Sequence, residues 1–398
     1  MYLINKDKYS YWVFDVEANG LQPTRLWCMC VLNLLTDEKY NLVGHEEIKK
    51  WIGENWDDKS ILVGHNAISY DIPVLNRLLG LNLNLSRVVD TLVLSNLYSP
   101  RLSDQYGKHS LEAYGERFGI KKVQNEDWSR FTLQMLERCQ VDVAITRKLL
   151  EVLRSKMLRV GFSEKSCEIE HGIREVINWQ EKNGFYFDVP EAIKLRGELL
   201  AKEQECHDEV VKLFPPELKV IKTLKYRIMK NGQETAAIQK AKQEYPQSII
   251  VDNLLHVRDR VPFNLGSPLQ RLQRLQELGY TAVNKTKGGN PSVDEEGLLA
   301  FLQALQEESE ACGRKGHIPA IKALAEWMVV SARNKSLAEW LDCVDWKDSC
   351  IHGRVFTCGA NSRRATHNNP NTTTVPSNEA KYGEVCRSLW GARNGRVL

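Results

Sequence analysis

Between residues 10 and 64 the chain passes through short apolar runs separated by turns, and that pattern limits its fold more than any other. Residues 10–16, 26–35 and 39–43 have strand length and are rich in Val, Leu and aromatic side chains. Residues 45–55 read as helix, and Ile61 to Gly64 returns as a buried strand. Asp71 to Leu79 reads as a helix with Pro73 tolerated near its start. Phe131 to Met157 reads as a long helix, with Leu133, Leu136, Val143, Leu150 and Leu153 near one stripe. Strands followed by interleaved helices predict an α/β domain. From about Ser166 the strand signals nearly vanish, and helices are expected over 167–183, 189–213, 267–278, 294–308 and 318–343. Ser267-Pro268 supplies an N-cap and a first-turn proline. Pro215-Pro216 and Lys287 to Pro291 read as loops, and the segment from Gly353 reads as irregular, basic and rich in Asn and Thr.

A chain of 398 residues suits roughly two to three domains. The net charge is only +3, so the whole chain is not a polycation. The basic residues are instead local. Glu217 to Tyr245 carries seven Lys/Arg against three Glu, and His352 to Leu398 seven (among them Arg393 and Arg396) against two. Such surfaces suit a polyanionic partner, with a solvated face as the alternative for the first run. The ten cysteines include no C-x-x-C pair, and Cys28 and Cys30 would share one face of a strand. Cys343, Cys350 and His352 lie near one another without completing a zinc ligand set. The sequence shows neither a signal peptide nor a long apolar span, so a reducing cytoplasm is expected, with no membrane partner.

In YWVFDVEANG, Asp15 and Glu17 stand two residues apart in a strand and therefore project the same way. They are either an ordinary acidic strand end or half of a cation site, because carboxylates so placed repel unless a cation lies between them. In RCQVDVAITRKLL, Asp142 interrupts a helix face that otherwise looks to the core, which is costly unless it is paired or bound to a cation. With Asp71 of GHNAISYDIPVL the four carboxylates could form one oxygen-only cluster. Such a cluster suits two Mg²⁺ or Mn²⁺ ions, which clamp a scissile phosphate.

DVE, HNAISYD and Asp142 in its helix resemble, in order, the three motifs of the DEDD 3′–5′ exonucleases. DTLVLSNL from Asp90 and KHSLEAYGERFG from Lys108 look like the proofreading domain of phage DNA polymerases related to bacterial DNA polymerase I, family A. The resemblance implies an α/β, ribonuclease H-like exonuclease domain over 1–160, with a mixed sheet flanked by helices. It implies Asp15, Glu17, Asp71 and Asp142 as metal ligands, and release of deoxynucleoside monophosphates. It also implies that Leu21 and Tyr70, with Asn66 nearby, meet the terminal nucleotide, core packing being the alternative for Leu21 and Tyr70. One position departs from the family. A Tyr four residues before the last Asp, or a His five before it, is replaced by Arg138 and Glu137. Arg138 shares a helix face with Asp142 but cannot act as a base. Pairing with Asp142, stabilising the transition state and competing with metal are its three open roles.

IEHGIREVINWQEKNGFYFDV from Ile169, FNLGSPLQRLQRLQELGY from Phe263 and VDEEGLLAFL from Val293 look like the helical thumb of the same polymerases, here 161–350. GRVFTCGANSRRATHNNPNTTTVPS, Gly353 to Ser377, resembles the stretch that touches the primer–template minor groove at the start of a palm, here 351–398. Arg364, His367 and Asn371, and Arg387 beyond them, match that pattern, whereas Arg363 replaces a usual Gly and Thr374 a usual Gln. A solvated loop is the bland alternative. The sequence stops at GRVL, before either palm metal motif or the fingers helix. The resemblance thus implies proofreading of primer–template DNA without polymerisation by this chain alone, as a truncation or as half of a split phage polymerase with a separate palm–fingers chain in the host cytoplasm. The rival reading is a DNA-holding scaffold whose exonuclease Arg138 has idled. An RNase acting through the same cluster is a third.

Overall fold

The structure, a computed structural model, describes residues 8–100, 109–125, 127–286, 288–307 and 314–392. Lys108, Lys287, Arg393, Arg396, the terminal GRVL and the expected helix end at 308 lie outside the described residues. The chain divides into two compact units. One comprises Met1–Phe187, Cys343–Val375 and Trp390–Leu398, the other Asp188–Asp342 and Pro376–Leu389.

The first unit begins with β1 (Ser10–Ala18), β2 (Leu26–Asn33), β3 (Lys39–Val43), α1 (His45–Asn55), β4 (Ser60–Gly64) and α2 (Asp71–Leu79). It continues through β5 (Val88–Asp90), α3 (Thr91–Tyr98), α4 (Leu111–Phe118), α5 (Leu133–Arg159), α6 (Glu164–Asn183) and β6 (Phe185–Phe187). The main sheet runs β3-β2-β1-β4-β5. β1 pairs antiparallel with β2 and parallel with β4, so the sheet is mixed. Alternation along β1 decides the two faces. Trp12, Phe14 and Val16 enter a core with Ile48 and Trp51 of α1 and Ile72 and Leu75 of α2. Tyr11 and Val13 enter the opposite core with Cys28 and Cys30 of β2 and Met135, Cys139, Val143 and Leu149 of α5. Asp15 and Glu17 continue the register of Tyr11 and Val13, and so they belong to the α5 side of the sheet.

α5 starts where Thr132 accepts a hydrogen bond from the Met135 N–H at 3.1 Å. Leu133, expected in its apolar stripe, is 79% exposed because Met135, two positions later and therefore on another face of the helix, is the first-turn residue that enters the core. Val143, Leu150 and Leu153 of that stripe are buried, and Met135, Cys139, Asp142, Thr146 and Leu149 face inward with them. Asp142 is therefore buried by its position among core residues.

The second unit contains α7 (Val189–Leu213), β7 (Glu217–Lys225), α8 (Ala236–Glu244), β8 (Ile249–Val251), β9 (Leu254–Val261), α9 (Pro268–Glu277), α10 (Glu295–Glu307) and α11 (Ile318–Asp342). Its core gathers Phe214, Phe263, Leu275, Leu302, Leu324 and Trp327. Ser267 caps α9 with Pro268 in its first turn. The near absence of strands after Ser166 is corrected here. β7, β9 and β8 form a three-stranded antiparallel sheet. Its strands escaped sequence reading because both faces of β7 are largely exposed and its register breaks between Val220 and Lys222, so no period of two survives.

Back in the first unit, β10 (Val344–Asp345) and β11 (Cys350–Ile351) join β6, while β12 (Arg354–Phe356) pairs with β13 (Thr366–Asn368). The segment from Gly353 is therefore a hairpin in part. α12 (Gly383–Ser388) belongs to the second unit, and β14 (Trp390–Gly391) pairs with β6. Among the described residues no helix is long and apolar enough to cross a membrane.

Candidate functional site

Asp15 and Glu17 leave the same face of β1, and Asp142 reaches them from α5. One ligand oxygen from each lies within 4.8 Å of the others. Asp71, the first residue of α2, is not one of this tight set, yet it is buried and its charge acts on Asp15. Burial holds the Asp15 carboxyl well above the usual carboxylate range, and the charges of Asp142, Asp71 and Glu17 add to the effect. Burial pushes Glu17 up to about 7 against the pull of Arg138, and Asp71 up to about 8 with Asp90 as its next contributor. Burial raises Asp142 too, opposed by Lys122.

Two cationic side chains meet this charge. Arg138 Nε lies 3.1 Å from Glu17 Oε1, and Lys122 Nζ lies 2.8 Å from Asp142 Oδ2. Arg138 thus pairs with Glu17 and not with Asp142. Although it shares a helix face with Asp142, its long side chain leans toward β1, where Nη1 also donates to Val123 O at 3.1 Å and the guanidinium lies over Trp128. Asp142 takes Lys122 from the loop after α4, a partner that the sequence reading missed. Asp142 Oδ1 remains buried with no hydrogen-bond partner among the described residues. An oxygen-only donor set with an orphaned buried carboxylate oxygen fits a hard divalent cation.

The loop leading to Asp71 is held from below by Asp90. Its carboxylate accepts from the N–H groups of Asn66, Ile68 and Leu92 at 2.9, 3.1 and 2.9 Å. The Asp90 N–H donates to His171 Nε2 at 2.9 Å, while His171 Nδ1 donates to Cys167 O at 2.7 Å. Burial drives His171 down to about 4, which keeps that ring neutral and able to accept. A Cβ on Gly64 would stand 2.6 Å from Ala67 Cβ, so the chain can fold back this tightly only with glycine there.

On the other side of the cluster, Asn19 organises residues 19–25 by accepting from the N–H groups of Thr24 and Arg25. Leu21 stands on this loop 87% exposed, which removes core packing as its role. The Tyr70 hydroxyl donates to Gly20 O at 2.7 Å and is pushed up to about 12 by burial, with the charges of Asp71, Glu17 and Asp15 adding to it. Asn66 is exposed with a positive φ of 63°.

No family model matches the chain. It is 28% identical over 473 aligned residues to the DNA-directed DNA polymerase of Escherichia phage T7, covering 96% of this chain and 65% of that protein. The corresponding polymerase of Enterobacteria phage T3 matches at 28% over 474 residues, with the same coverage. Over nearly its whole length the chain is similar to these phage DNA-directed DNA polymerases. It spans about 65% of the length of the curated relatives it matches. The polymerase-like fold recurs in the polymerase domain of Pol1 from M. smegmatis, solved in complex with DNA primer-template and dNTP. There the TM-score is 0.63 at 13% identity, over 99% of this chain and 56% of that one.

In this polymerase-like chain the remaining residues singled out from sequence fall in two places. Arg364, His367 and Asn371 lie in and after the β12–β13 hairpin of the first unit, and Arg387 lies on α12 of the second. Arg364 is exposed, while His367 Nδ1 meets the Thr372 hydroxyl at 2.9 Å. Asn371 caps a short 3-10 turn, accepting from the Thr373 N–H at 3.1 Å. Arg387 is exposed, with Nε donating to Pro376 O at 2.6 Å. His352 donates to Glu181 O at 2.8 Å and meets Asp348 at 3.2 Å; among the described residues its possible ligand neighbours are Asp345 and Asp348, with neither Cys343 nor Cys350 in the group.

Proposed function

We propose that the chain is a metal-dependent 3′–5′ DNA exonuclease, the proofreading part of a phage DNA polymerase in replication. Residues 1–160 would form a ribonuclease H-like exonuclease domain, 161–350 a thumb and 351–398 the start of a palm. The observation that carries the reading is the convergence of Asp15, Glu17 and Asp142 on one point, with Asp142 Oδ1 buried and unpartnered. The similarity to phage DNA-directed DNA polymerases supports DNA as the substrate.

Asp15, Glu17, Asp71 and Asp142 would hold Mg²⁺ or Mn²⁺. When bound, such ions supply charge neutralisation at a phosphodiester and a water of lowered pKa. The protein's own share is positional. Asp90 fixes the loop that presents Asp71, and Tyr70 braces the 19–25 loop through Gly20 O. The braced loop offers the exposed Leu21 as an apolar surface for the terminal base, a contact that tolerates every base. The polar side chains of Arg364, His367, Asn371 and Arg387 would meet primer–template DNA without sequence preference.

The pairing of Lys122 and Arg138 with the carboxylates favours one other reading, a DNA-holding protein with an idle site. Single-stranded and 3′-recessed DNA, labelled at the 5′ end, separate the two when incubated with the chain with and without Mg²⁺. Stepwise shortening that needs Mg²⁺ and disappears in Asp15→Ala/Glu17→Ala is the expected result. Binding without shortening would leave the idle-site reading in its place.

A further inference from the structure

Taking the carboxylate cluster as the metal site proposed above, its charges do not leave room for two divalent cations in the resting chain. Asp15, Glu17, Asp71 and Asp142 carry four negative charges when ionised, and Lys122 and Arg138 return two positive ones; Asp90, behind Asp71, is left out of the count because its oxygens are taken up by three backbone N–H groups. The balance of two is that of one divalent ion. A second would leave an excess of two positive charges in a site that is largely buried, where unbalanced charge is poorly screened. A phosphodiester brings back one negative charge, and the departure of one basic side chain restores neutrality.

The two basic side chains are not equally able to leave. Arg138 is fixed by Glu17, by Val123 O and by the face of Trp128. Among the described residues, the polar contact that holds Lys122 is one ion pair to Asp142, at the end of a flexible four-carbon stem on a loop. That pair uses Oδ2 of the carboxylate whose other oxygen is buried and unpartnered. Lys122 Nζ therefore stands where a cation bound to Asp142 would stand.

We propose that Lys122 occupies one of two cation positions in the cluster, so that the resting chain takes a single divalent ion. The second enters when Lys122 leaves Asp142 and withdraws its ammonium group from the cluster, a departure that the negative charge of an arriving DNA phosphodiester brings to neutrality. Arg138 stays in place and keeps Glu17 paired throughout. The cluster is thus charge-balanced in stages, and its full metal load is tied to substrate.

Mn²⁺ binding to the full chain without DNA, followed by electron paramagnetic resonance of the free ion, tests this directly. The wild-type chain should bind one equivalent, and Lys122→Gln a second whose Kd is at least about tenfold lower than any second site in wild type. Lys122→Arg, which keeps the charge, should bind as wild type does. Equal stoichiometry and affinity in wild type and Lys122→Gln would overturn the proposal and leave the metal-site reading standing. A second equivalent on Lys122→Arg would overturn it as well, and this variant retains a charged partner for Asp142 should the glutamine variant fail to fold. Absence of Mn²⁺ binding in every chain would remove the metal-site reading and this proposal together.

Discussion

The proton affinity of Glu17 makes a prediction that needs no substrate. Burial between β1 and α5 raises its carboxyl from 4.5 to about 7 even with Arg138 at 3.1 Å. The folded chain therefore binds this proton more tightly than the unfolded chain does. The stability so gained is complete below the unfolded value of 4.5 and is lost as pH rises to about 7. At 1.36 kcal/mol per pH unit, the loss is about 3 kcal/mol. Glu17→Gln keeps the shape of the protonated acid and cannot ionise. In EDTA the glutamine variant should be the more stable by under about 1 kcal/mol at pH 5 and by about 3 kcal/mol at pH 8, or roughly 6–12 °C in Tm for a unit of this size. Millimolar Mg²⁺ should narrow the gap at pH 8 by stabilising the wild type alone. Thermal denaturation followed by circular dichroism from pH 5 to 8.5 is sufficient. A difference that stays flat across that range, or a wild type that is the more stable at pH 8 in EDTA, would refute the reasoning.

Three further expectations follow from other contacts. Asp90→Ala strips the partner from three backbone N–H groups and should cost about 3 kcal/mol or more in urea unfolding, with loss of DNA shortening as the Asp71 loop relaxes. Arg138→Tyr frees Glu17 and places a hydroxyl four residues before Asp142, so cleavage of single-stranded DNA should accelerate about tenfold; an unchanged single-turnover rate would sink the idea. Leu21→Ala should leave the Tm within about 0.5 kcal/mol of stability, because the side chain is exposed, while raising KM for single-stranded DNA roughly tenfold, the scale of one lost stacking contact.

What the sequence disclosed about the molecule was whatever repeats along it. The strands over 10–64 and most of the long helices show their period because one or both faces are buried, and the shared direction of Asp15 and Glu17 needs only the pleat. The inward stripe of α5 placed Asp142 in the core in the same way. What stayed hidden depends on contacts far apart in sequence or on surfaces with no inside. Lys122 comes from an aperiodic loop, and its meeting with Asp142 is set by where α4 ends. Arg138 finds Glu17 across 121 residues, whereas helical spacing points only to its near neighbour Asp142. Asp90 looked like part of a spacer because its role is exercised entirely through backbone N–H groups. The β7–β9–β8 sheet buries little more than Leu255 and Val257 against Ile238, too little to stamp a pattern on its strands.

Helix α6 does more than connect one part of the first unit to the next. His171 holds Asp90, and Asn178 Nδ2 donates to Ile68 O at 3.2 Å, so two points along the helix grip the turn that presents Asp71. One turn from Asn178 in either direction, Arg174 and Glu181 clasp each other at 2.7 Å and bind both sides of the Val355 peptide in the β12–β13 hairpin. From His171 to Glu181 the helix advances about 15 Å as a stiff rod. The carboxylate turn and the hairpin that carries His367 are therefore bolted to one beam. A push on the hairpin reaches the turn as a rigid displacement, with no loop in between to absorb it.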